Sequence, residues 1–226
     1  KDIFERFPGL LVGTVLVSGL NNSGRSEKIT TLLRSQEEIV QQTFSTDTLS
    51  EDPRIRSWRK AYSAFGAKPK KYKSSVESLY RMVLKKTGVP SINPVVDIYN
   101  YVSMKYTLPV GGDDLDKVEG SLRLCFAEGD ELFLPLNGDE MEVVKPGEVI
   151  YRDDAEVLCR RWNWRESDKS KMTPETGCVL LVAEALPPVS ASELEEAVGE
   201  LESLIVGFCG GESRTAVLHQ NLPGLE

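Results

Sequence analysis

Residues 92–124 read INPVVDIYNYVSMKYTLPVGGDDLDKVEGSLRL, and the order of patterns in this stretch decides the fold class. Asn93 followed by Pro94 is typical of a helix N-cap and first turn, so a helix is predicted from Pro94 to about Tyr106. A Pro-Gly-Gly loop and an Asp-rich turn follow. Beyond them the apolar residues change from helical spacing to alternation, which predicts a half-buried strand at residues 122–126.

Strand signals continue on the C-terminal side of this stretch. Asn137-Gly138 predicts a hairpin with a type I′ turn between strands at residues 131–136 and 139–144. The remaining patterns predict strands and a closing acidic helix, at residues 149–152, 157–161 and 178–183 for the strands and 190–208 for the helix.

Helices dominate on the N-terminal side, after one predicted strand at residues 10–20. Helices followed by antiparallel strands are typical of an α+β protein. We therefore predict N-terminal helices packed on a largely antiparallel, β-sandwich-like core. The length of 226 residues fits one domain. Its predicted parts are the strand and basic helices of residues 1–90, a pocket helix and sheet at 91–185, and a C-terminal helix at 190–209.

Composition excludes several classes of function. Four cysteines without CxxC spacing favour a reducing cytosol, and the longest apolar run near the start is too short to span a bilayer. No phosphate-binding loop is present, and we predict neither a cofactor nor a metal. The cluster Asp113-Asp114-Asp116 could bind a cation, although turn formation explains it more simply. His219 is the one histidine, in a segment predicted to be loose, and Leu225-Glu226 could be a cloning remnant.

Charge is distributed unevenly along the chain. The net charge is −8, yet residues 54–86 contain eleven Lys or Arg and one acid, Glu77. Aromatic residues are interleaved with these bases, which is the footprint expected for RNA rather than DNA. The alternative is a pair of amphipathic helices with solvated basic faces, the second starting with a Ser74–Glu77 capping box. The candidate RNA-binding residues are Arg59, Lys60, Lys68, Lys70, Lys71 and Lys73.

A second informative stretch is CRRWNWRESDKSK at residues 159–171. Alternation would send Arg160 and Trp162 to one face of a strand and Arg161 to the other. Arginines beside indole rings suit stacking and the capture of a carboxylate or phosphate. They could instead pair with neighbouring acids, and Asn100 could likewise point either to solvent or into a pocket.

The motifs from about Ile92 to Glu184 resemble the B3/B4 domain of the bacterial phenylalanyl-tRNA synthetase beta subunit. They are INPVVDIYNYV, the proline loop, DLDK, the segment from Gly129 to Gly138, and VIYRDD. The basic segment WRKAYSAFGAKPKKYKSS resembles freestanding members of this family, which lack the catalytic core of the ligase. The resemblance implies a pocket that removes wrongly attached amino acids from tRNA, without amino-acid activation.

Transferred residue by residue, the family pocket is changed here. Asn100 is retained, Tyr99 replaces a Thr, and Gly111 replaces the His of the proline loop. The Ala-Gly pair of the family pocket falls on Arg160-Arg161. The Glu that reads a tyrosine hydroxyl has no secure counterpart, although Glu184 lies nearby in the sequence. These changes argue against removal of tyrosine and favour an anionic group beside Arg160, Arg161 and Trp162.

Two hypotheses remain from the sequence. The first is a trans-editing enzyme that hydrolyses the ester of a mischarged aminoacyl-tRNA, with a positioned water and backbone amides near Gly111 and Gly112. The second is a non-catalytic module that binds RNA or an amino-acid-like ligand. Charge reversal at Lys70, Lys71 and Lys73 should weaken RNA binding and flatten its salt dependence, whereas unchanged tRNA affinity would indicate a small ligand at Arg160-Arg161.

Overall fold

A computed structural model describes residues 1–225, so that Glu226 lies outside the described residues. Its larger sheet is antiparallel throughout, with the strand order β10-β1-β9-β2. The strands of this sheet are β1 (Leu11–Ser18), β2 (Val110–Asp114), β9 (Cys178–Ala185) and β10 (Glu212–Leu218). The strand β2 therefore forms one edge of the sheet, and only β9 pairs with it.

A second antiparallel sheet follows the order β3-β6-β7-β8, and β4 and β5 form a separate two-stranded ribbon. The strands are β3 (Arg123–Phe126), β4 (Leu132–Phe133), β5 (Glu142–Val143), β6 (Val149–Arg152), β7 (Val157–Arg160) and β8 (Arg165–Glu166). The short β8 is an edge of its sheet, as β2 is of the other.

Helices begin at side chains that cap their first amide groups. Asn93 Oδ1 accepts a hydrogen bond from the amide of Val96, and Ser190 forms a capping box with Glu193. The helices are α1 (Asp2–Arg6), α2 (Glu27–Thr43), α3 (Pro53–Ala64), α4 (Ser75–Leu84), α5 (Pro94–Tyr106) and α6 (Ala191–Cys209), with short 3₁₀ turns at Leu49–Glu51 and Leu115–Lys117. None of these helices is long and apolar enough to cross a membrane.

The larger sheet is covered on both faces. On one face, Val15 and Leu181 pack with apolar residues of α5 and α6. On the other face, Val12 shares a core with Val149 and Tyr151 of the second sheet and with residues of α1 and α3. Two sheets that share a core, with helices outside them, confirm the predicted α+β class with a sandwich-like centre.

Most of the predicted elements are confirmed to within a few residues, including α5 at Pro94–Tyr106. The long hairpin is wrong: its strands shrink to β4 and β5, and the Leu136 amide donates instead to the Glu166 carbonyl. Proline at position 135 lacks the amide that a longer ladder needs. Asn137 has a φ of +57°, but Gly138 is not left-handed, so the turn is not type I′.

Three further predictions are corrected. The Pro-Gly-Gly loop is in fact the edge strand β2, and the loose C-terminal segment contains β10, which pairs with β1 from Val12 to Ser18. Ser74 caps α4, but the Glu77 side chain does not complete the capping box. The Glu77 side chain is fully buried and forms ion pairs with Arg59 and Arg81 instead.

Candidate active site between the two sheets

A cavity of about 30 Å³ lies where the edge strands β2 and β8 of the two sheets approach each other. It is formed by side chains that point inward from both sheets and from the start of α4. Its lining residues are Ser75, Val110, Gly111, Gly112, Asp113, Tyr151, Cys159, Trp162, Asn163, Glu166, Val182 and Glu184.

The register of the larger sheet explains which side chains reach the cavity. Gly111 lies opposite Val182, and Asp113 lies opposite Leu180, so these residues share one face. Glu184 lies on this face too, two residues after Val182. A Cβ atom added to Gly111 would lie 2.9 Å from Glu166 Oε1, which places the carboxyl of β8 directly over the glycine of β2.

Asp113 and Glu166 form a pair of interacting carboxyls in the cavity. Burial, followed by the nearby charge of Asp113, raises the pKa of Glu166 to about 8. Burial also raises the pKa of Asp113 to about 6, against the opposing effect of a 2.6 Å hydrogen bond from Ser170 Oγ. Between these two values the pair holds one proton, which is the state that general acid–base chemistry requires.

Glu184 is held in place by three donors. Its Oε1 accepts hydrogen bonds from Tyr151 Oη at 2.5 Å and from Trp162 Nε1 at 2.6 Å, and its Oε2 accepts from Asn163 Nδ2 at 2.7 Å. Burial raises the pKa of this carboxyl, although the three donors oppose the shift. The network fixes the wall of the cavity formed by Trp162 and Asn163.

A sharp turn after β7 separates the cavity from a second, basic depression. Arg161 and Trp162 both have left-handed backbones, with φ of +50° and +68°. The turn directs Trp162 and Asn163 into the cavity, while Arg161 points away. The Arg161 guanidinium lies 3.9 Å from the ring centroid of Tyr72 and 4.7 Å from that of Trp164.

We call this depression the basic notch. It has a volume of about 400 Å³, and its charged lining is positive except for one acid. That acid, Glu148, accepts hydrogen bonds from Arg160 and Arg161 at 2.9–3.0 Å and is thereby neutralised. The lining residues are Phe65, Gly66, Ala67, Lys68, Lys71, Tyr72, Lys145, Pro146, Glu148 and Arg161.

The predicted pocket residues divide into two groups. Gly111, Gly112, Trp162 and Glu184 all line the cavity. Tyr99 does not line it, but its hydroxyl lies close enough that, after burial itself, Glu166 and Asp113 raise the pKa of the phenol.

Asn100, Arg160 and Arg161 do not line the cavity. The two arginines instead converge on Glu148, and Arg160 also binds Glu142. The predicted alternation, with Arg160 and Trp162 on one face, is wrong because the left-handed backbone at 161 and 162 interrupts the extended strand. An anionic ligand that contacts these arginines would therefore bind at the basic notch and not in the cavity.

The predicted RNA-binding residues also divide. Arg59 donates to the buried Glu77 at 2.8 and 3.1 Å, so this arginine has a structural partner. Lys60, Lys68, Lys70 and Lys71 are exposed, and Lys73 is half-buried. No ion pair joins any of these five lysines to an acid within residues 1–225. Lys68 and Lys71 line the basic notch.

The acidic turn has local partners. Asp114 Oδ1 accepts from the Asp116 amide, and its Oδ2 accepts from Thr176 Oγ1 at 2.7 Å. Asp113 points instead into the cavity. Within residues 1–225 no group of three or more His, Cys, Asp or Glu side chains could hold a metal ion. His219 follows β10, far in sequence from the cavity, and does not line it.

Sequence reasoning missed Glu166, Asp113 and Ser75 as cavity residues. One signal was available for Asp113: if VGGDD is read as a strand, Gly111 and Asp113 share a face. Nothing local indicates Glu166, because its position over Gly111 depends on how the two sheets pack.

The two glycines of β2 should respond differently to substitution. A Cβ atom at Gly112 would lie 2.3 Å from the backbone carbonyl of Leu180, whereas at Gly111 it meets only the end of the Glu166 side chain. We expect Gly112→Ala to lower the free energy of unfolding by about 2 kcal/mol or more, and Gly111→Ala to cost less. Urea denaturation of both variants checks this, and an equal loss would contradict the packing of β2 on β9.

Comparison with known proteins places these features in a family. The phenylalanine–tRNA ligase beta subunit of Fusobacterium nucleatum is 37% identical over 71 residues, which are 31% of this chain and 9% of that subunit. The beta subunit of Pectobacterium atrosepticum is 28% identical over 160 residues, which are 61% of this chain and 20% of that subunit. This chain thus spans a fifth or less of the length of these relatives.

A solved structure is also similar: an N-terminal fragment of the phenylalanyl-tRNA synthetase beta-subunit from Pyrococcus horikoshii. The TM-score is 0.47 and the identity is 12%, over 95% of this chain and 48% of that chain. The family model of the B3/4 domain matches residues 57–210, which include most of α3, the cavity and all of α6. Because this match covers well over half of its length, the chain belongs to the B3/4 domain family.

Proposed function

We propose that this protein binds aminoacyl-tRNA and hydrolyses the ester of a mischarged species, with the reaction at the cavity between β2 and β8. The observation that carries the proposal is the placement of the Asp113 and Glu166 carboxyls in one cavity beside Gly111, where burial raises the pKa values of both. The relatives are named as tRNA ligase beta subunits, which supports a tRNA partner. We also propose that residues 1–226 form a single domain.

The basic notch supports the placement of the tRNA end. It lies on the other side of the 161–164 turn from the cavity, and the loop that supplies Lys68, Lys71 and Tyr72 leads directly to Ser75 in the cavity. Phosphates would contact the lysines and Arg161, and a base could stack on Tyr72 or Trp164. An anionic polymer in the notch thereby brings its esterified end to the cavity. We place this activity in the cytoplasm, where tRNA is charged.

The proposed step is hydrolysis by a positioned water. Ionised Asp113 takes a proton from the water as its oxygen attacks the acyl carbonyl carbon. The bond from that carbon to the terminal ribose oxygen then breaks, and protonated Glu166 gives its proton to the leaving oxygen. The pair thus ends with the proton on Asp113 and returns to its starting state by exchange with water.

A backbone donor is available for the developing oxyanion. The Asp114 amide points away from β9, since it donates to the Ser170 carbonyl at 2.9 Å. By alternation along the edge strand, the Gly112 amide points the same way. A donor fixed in the backbone stabilises negative charge without reorganisation during the reaction.

A panel of mischarged tRNAs tests the proposal. We expect release of the amino acid from at least one species well above the uncatalysed rate, and loss of this activity in Glu166→Gln. Tyrosine on the phenylalanine tRNA should be a poor substrate, since a cavity of about 30 Å³ is far below the ~150 Å³ that holds a benzene ring. No release from any species would reject the enzyme and favour the second candidate.

That second candidate is a non-catalytic tRNA-binding module. The full set of hydrogen bonds to Glu184 favours it, because this carboxyl is already held by the protein. A module of this kind would bind tRNA through the notch and leave the ester intact.

The notch itself can be tested by charge reversal. We expect Lys68→Glu combined with Lys71→Glu to weaken tRNA binding about tenfold or more and to lower the slope of log K against log salt by roughly 0.7–0.9 per lysine. Lys28→Glu, at an exposed position of α2, is the matched control. Electrophoretic mobility shifts at several salt concentrations give both quantities, and equal effects at Lys28 would argue against a localised site.

A further inference from the structure

The cavity contains no positive side chain. Its lining carries three carboxyls, those of Asp113, Glu166 and Glu184, and neither a lysine, an arginine nor a histidine. The charges of these three acids also affect a neighbouring group. Burial is the largest cause of the raised pKa of the Cys159 thiol, and the three acids raise it further. Carboxyls that share a cavity without a cation repel one another when ionised, and a cationic ligand would offset that repulsion.

Two polar groups in the cavity also lack partners. Ser75 Oγ is the one buried side-chain nitrogen or oxygen within residues 1–225 that makes no hydrogen bond. The Glu166 side chain is half-buried, and its carboxyl accepts no hydrogen bond from the described residues either, in contrast to Glu184. Buried polar groups are almost always paired, so an orphaned hydroxyl that lines a cavity indicates a missing partner.

The size of the cavity limits that partner. Its volume of about 30 Å³ is room for roughly two water-sized groups, at about 10–15 Å³ each, and is far below the ~150 Å³ that holds a benzene ring. A primary ammonium group together with one water molecule fits this space, and the ammonium carries three donors and needs acceptors on several sides. Ring cations are too large for the space.

We propose that the cavity binds a primary ammonium group, surrounded by the carboxyls of Asp113, Glu166 and Glu184, with Ser75 Oγ as an additional acceptor. The identity of the molecule that carries the group rests on the proposed function: it is the aminoacyl moiety of the tRNA ester. The ammonium is either its α-amino group or the side-chain amine of a diamino acid. Both sources share the same chemistry.

Small, non-hydrolysable amides test the site in the intact protein. Calorimetry is carried out with glycinamide, with N-acetylglycinamide, which lacks the ammonium, and with Nα-acetyl-lysinamide, which has only the side-chain amine. We expect millimolar binding of at least one of the amines and none of N-acetylglycinamide. Preference between the two amines identifies the source, whereas binding of N-acetylglycinamide with similar affinity, or of none of the three, overturns the proposal.

Proton release provides a second readout. An ammonium beside Glu166 lowers the pKa of that carboxyl from about 8, so binding at pH 7 should release a fraction of a proton, measured from the heat in buffers of different ionisation enthalpy. The share of Glu166 that stays protonated remains the general acid. Absence of release would contradict the contact with Glu166.

Variants separate the site from structural effects. Glu166→Gln should weaken binding about tenfold and abolish proton release, while the matched Glu175→Gln, at an exposed position, should change neither. Ser75→Ala should weaken binding and leave the thermal midpoint of the free protein unchanged or higher, because it removes an unpaired buried hydroxyl. A lower midpoint with unchanged binding would assign Ser75 to the fold and contradict its part in the proposal.

The two proposals can fail separately. Amine binding with proton release, together with intact mischarged tRNA, would retain the ammonium site and reject the hydrolase. If an aminoacyl-tRNA with its α-amino group and any side-chain amine both acetylated is hydrolysed as fast as the free-amine form, the hydrolase is retained and the ammonium site is rejected.

Discussion

Glu166→Gln should lower kcat/KM for deacylation by about 10²–10⁴, the usual contribution of a general acid or base. Glutamine keeps the shape of the side chain over Gly111 but cannot give a proton to the leaving ribose oxygen. The substitution also leaves Asp113 without the ionisable neighbour with which it shares one proton. Steady-state deacylation of the best mischarged tRNA provides the measurement, with Glu175→Gln as the matched control on the exposed surface.

The pH dependence of kcat/KM for the same reaction distinguishes the general base from the general acid. Asp113 must be ionised, so the rate should rise through about pH 6, and Glu166 must be protonated, so it should fall through about pH 8. Burial raises the pKa of Tyr99, Tyr151 and Cys159 further above this range, so these groups do not titrate within it. Burial raises the pKa of Glu184 as well, against its three donors, and this carboxyl is common to the wild type and the Glu166→Gln variant. The two apparent pKa values of this profile belong to the coupled Asp113–Glu166 pair and not to either carboxyl alone.

In Glu166→Gln the fall above pH 8 should disappear while the rise near pH 6 remains. A variant that loses activity but keeps both limbs would show that Glu166 is not the acid. A variant with full activity would remove the Asp113–Glu166 pair from the mechanism altogether.

Trp162→Ala should reduce the free energy of unfolding by about 3–5 kcal/mol, the range measured for loss of a buried large aromatic side chain. Trp162 is fully buried, with its ring centroid 4.7 Å from that of Phe7 and 5.0 Å from that of Trp58. It also donates to Glu184 at 2.6 Å, so the alanine variant leaves this buried carboxyl with one donor fewer. Both effects act in the same direction.

Urea denaturation compares this variant with Trp164→Ala, two residues further along the chain. Trp164 is only half-buried and packs against Tyr72 and Arg161 at the notch, so its loss should cost much less. Trp162→Phe should recover part of the lost stability, because it refills most of the space without the indole donor. Equal costs at the two tryptophans would contradict the assignment of Trp162 to the core.

Local signals account for the helices. Asn93 and Ser74 cap helices at the positions where the sequence predicts them, because capping depends only on residues within one turn. The alternation at residues 122–126 and the patterns at residues 149–152 and 178–183 likewise predict strands that the structure contains.

Predictions that assumed a regular backbone were less successful. The faces of Arg160 and Trp162 follow from alternation only if the strand stays extended, and the left-handed residues Arg161 and Trp162 end it. The Asn137-Gly138 hairpin was shortened by Pro135. The net positive charge of residues 54–86 follows from the sequence, but the sequence does not show that Arg59 is the partner of the buried Glu77.

The sequence by itself determined the fold class, the capped helix at Pro94–Tyr106, the basic loop before α4 and the resemblance to the B3/4 domain family. Only the tertiary structure decided the chemistry of the site. Asp113 and Glu166 are 53 positions apart, on edge strands of different sheets, and Ser75 lies on a helix before both. Their convergence depends on how the sheets pack, because neither the pKa of a carboxyl nor its partners is fixed by its neighbours in the chain.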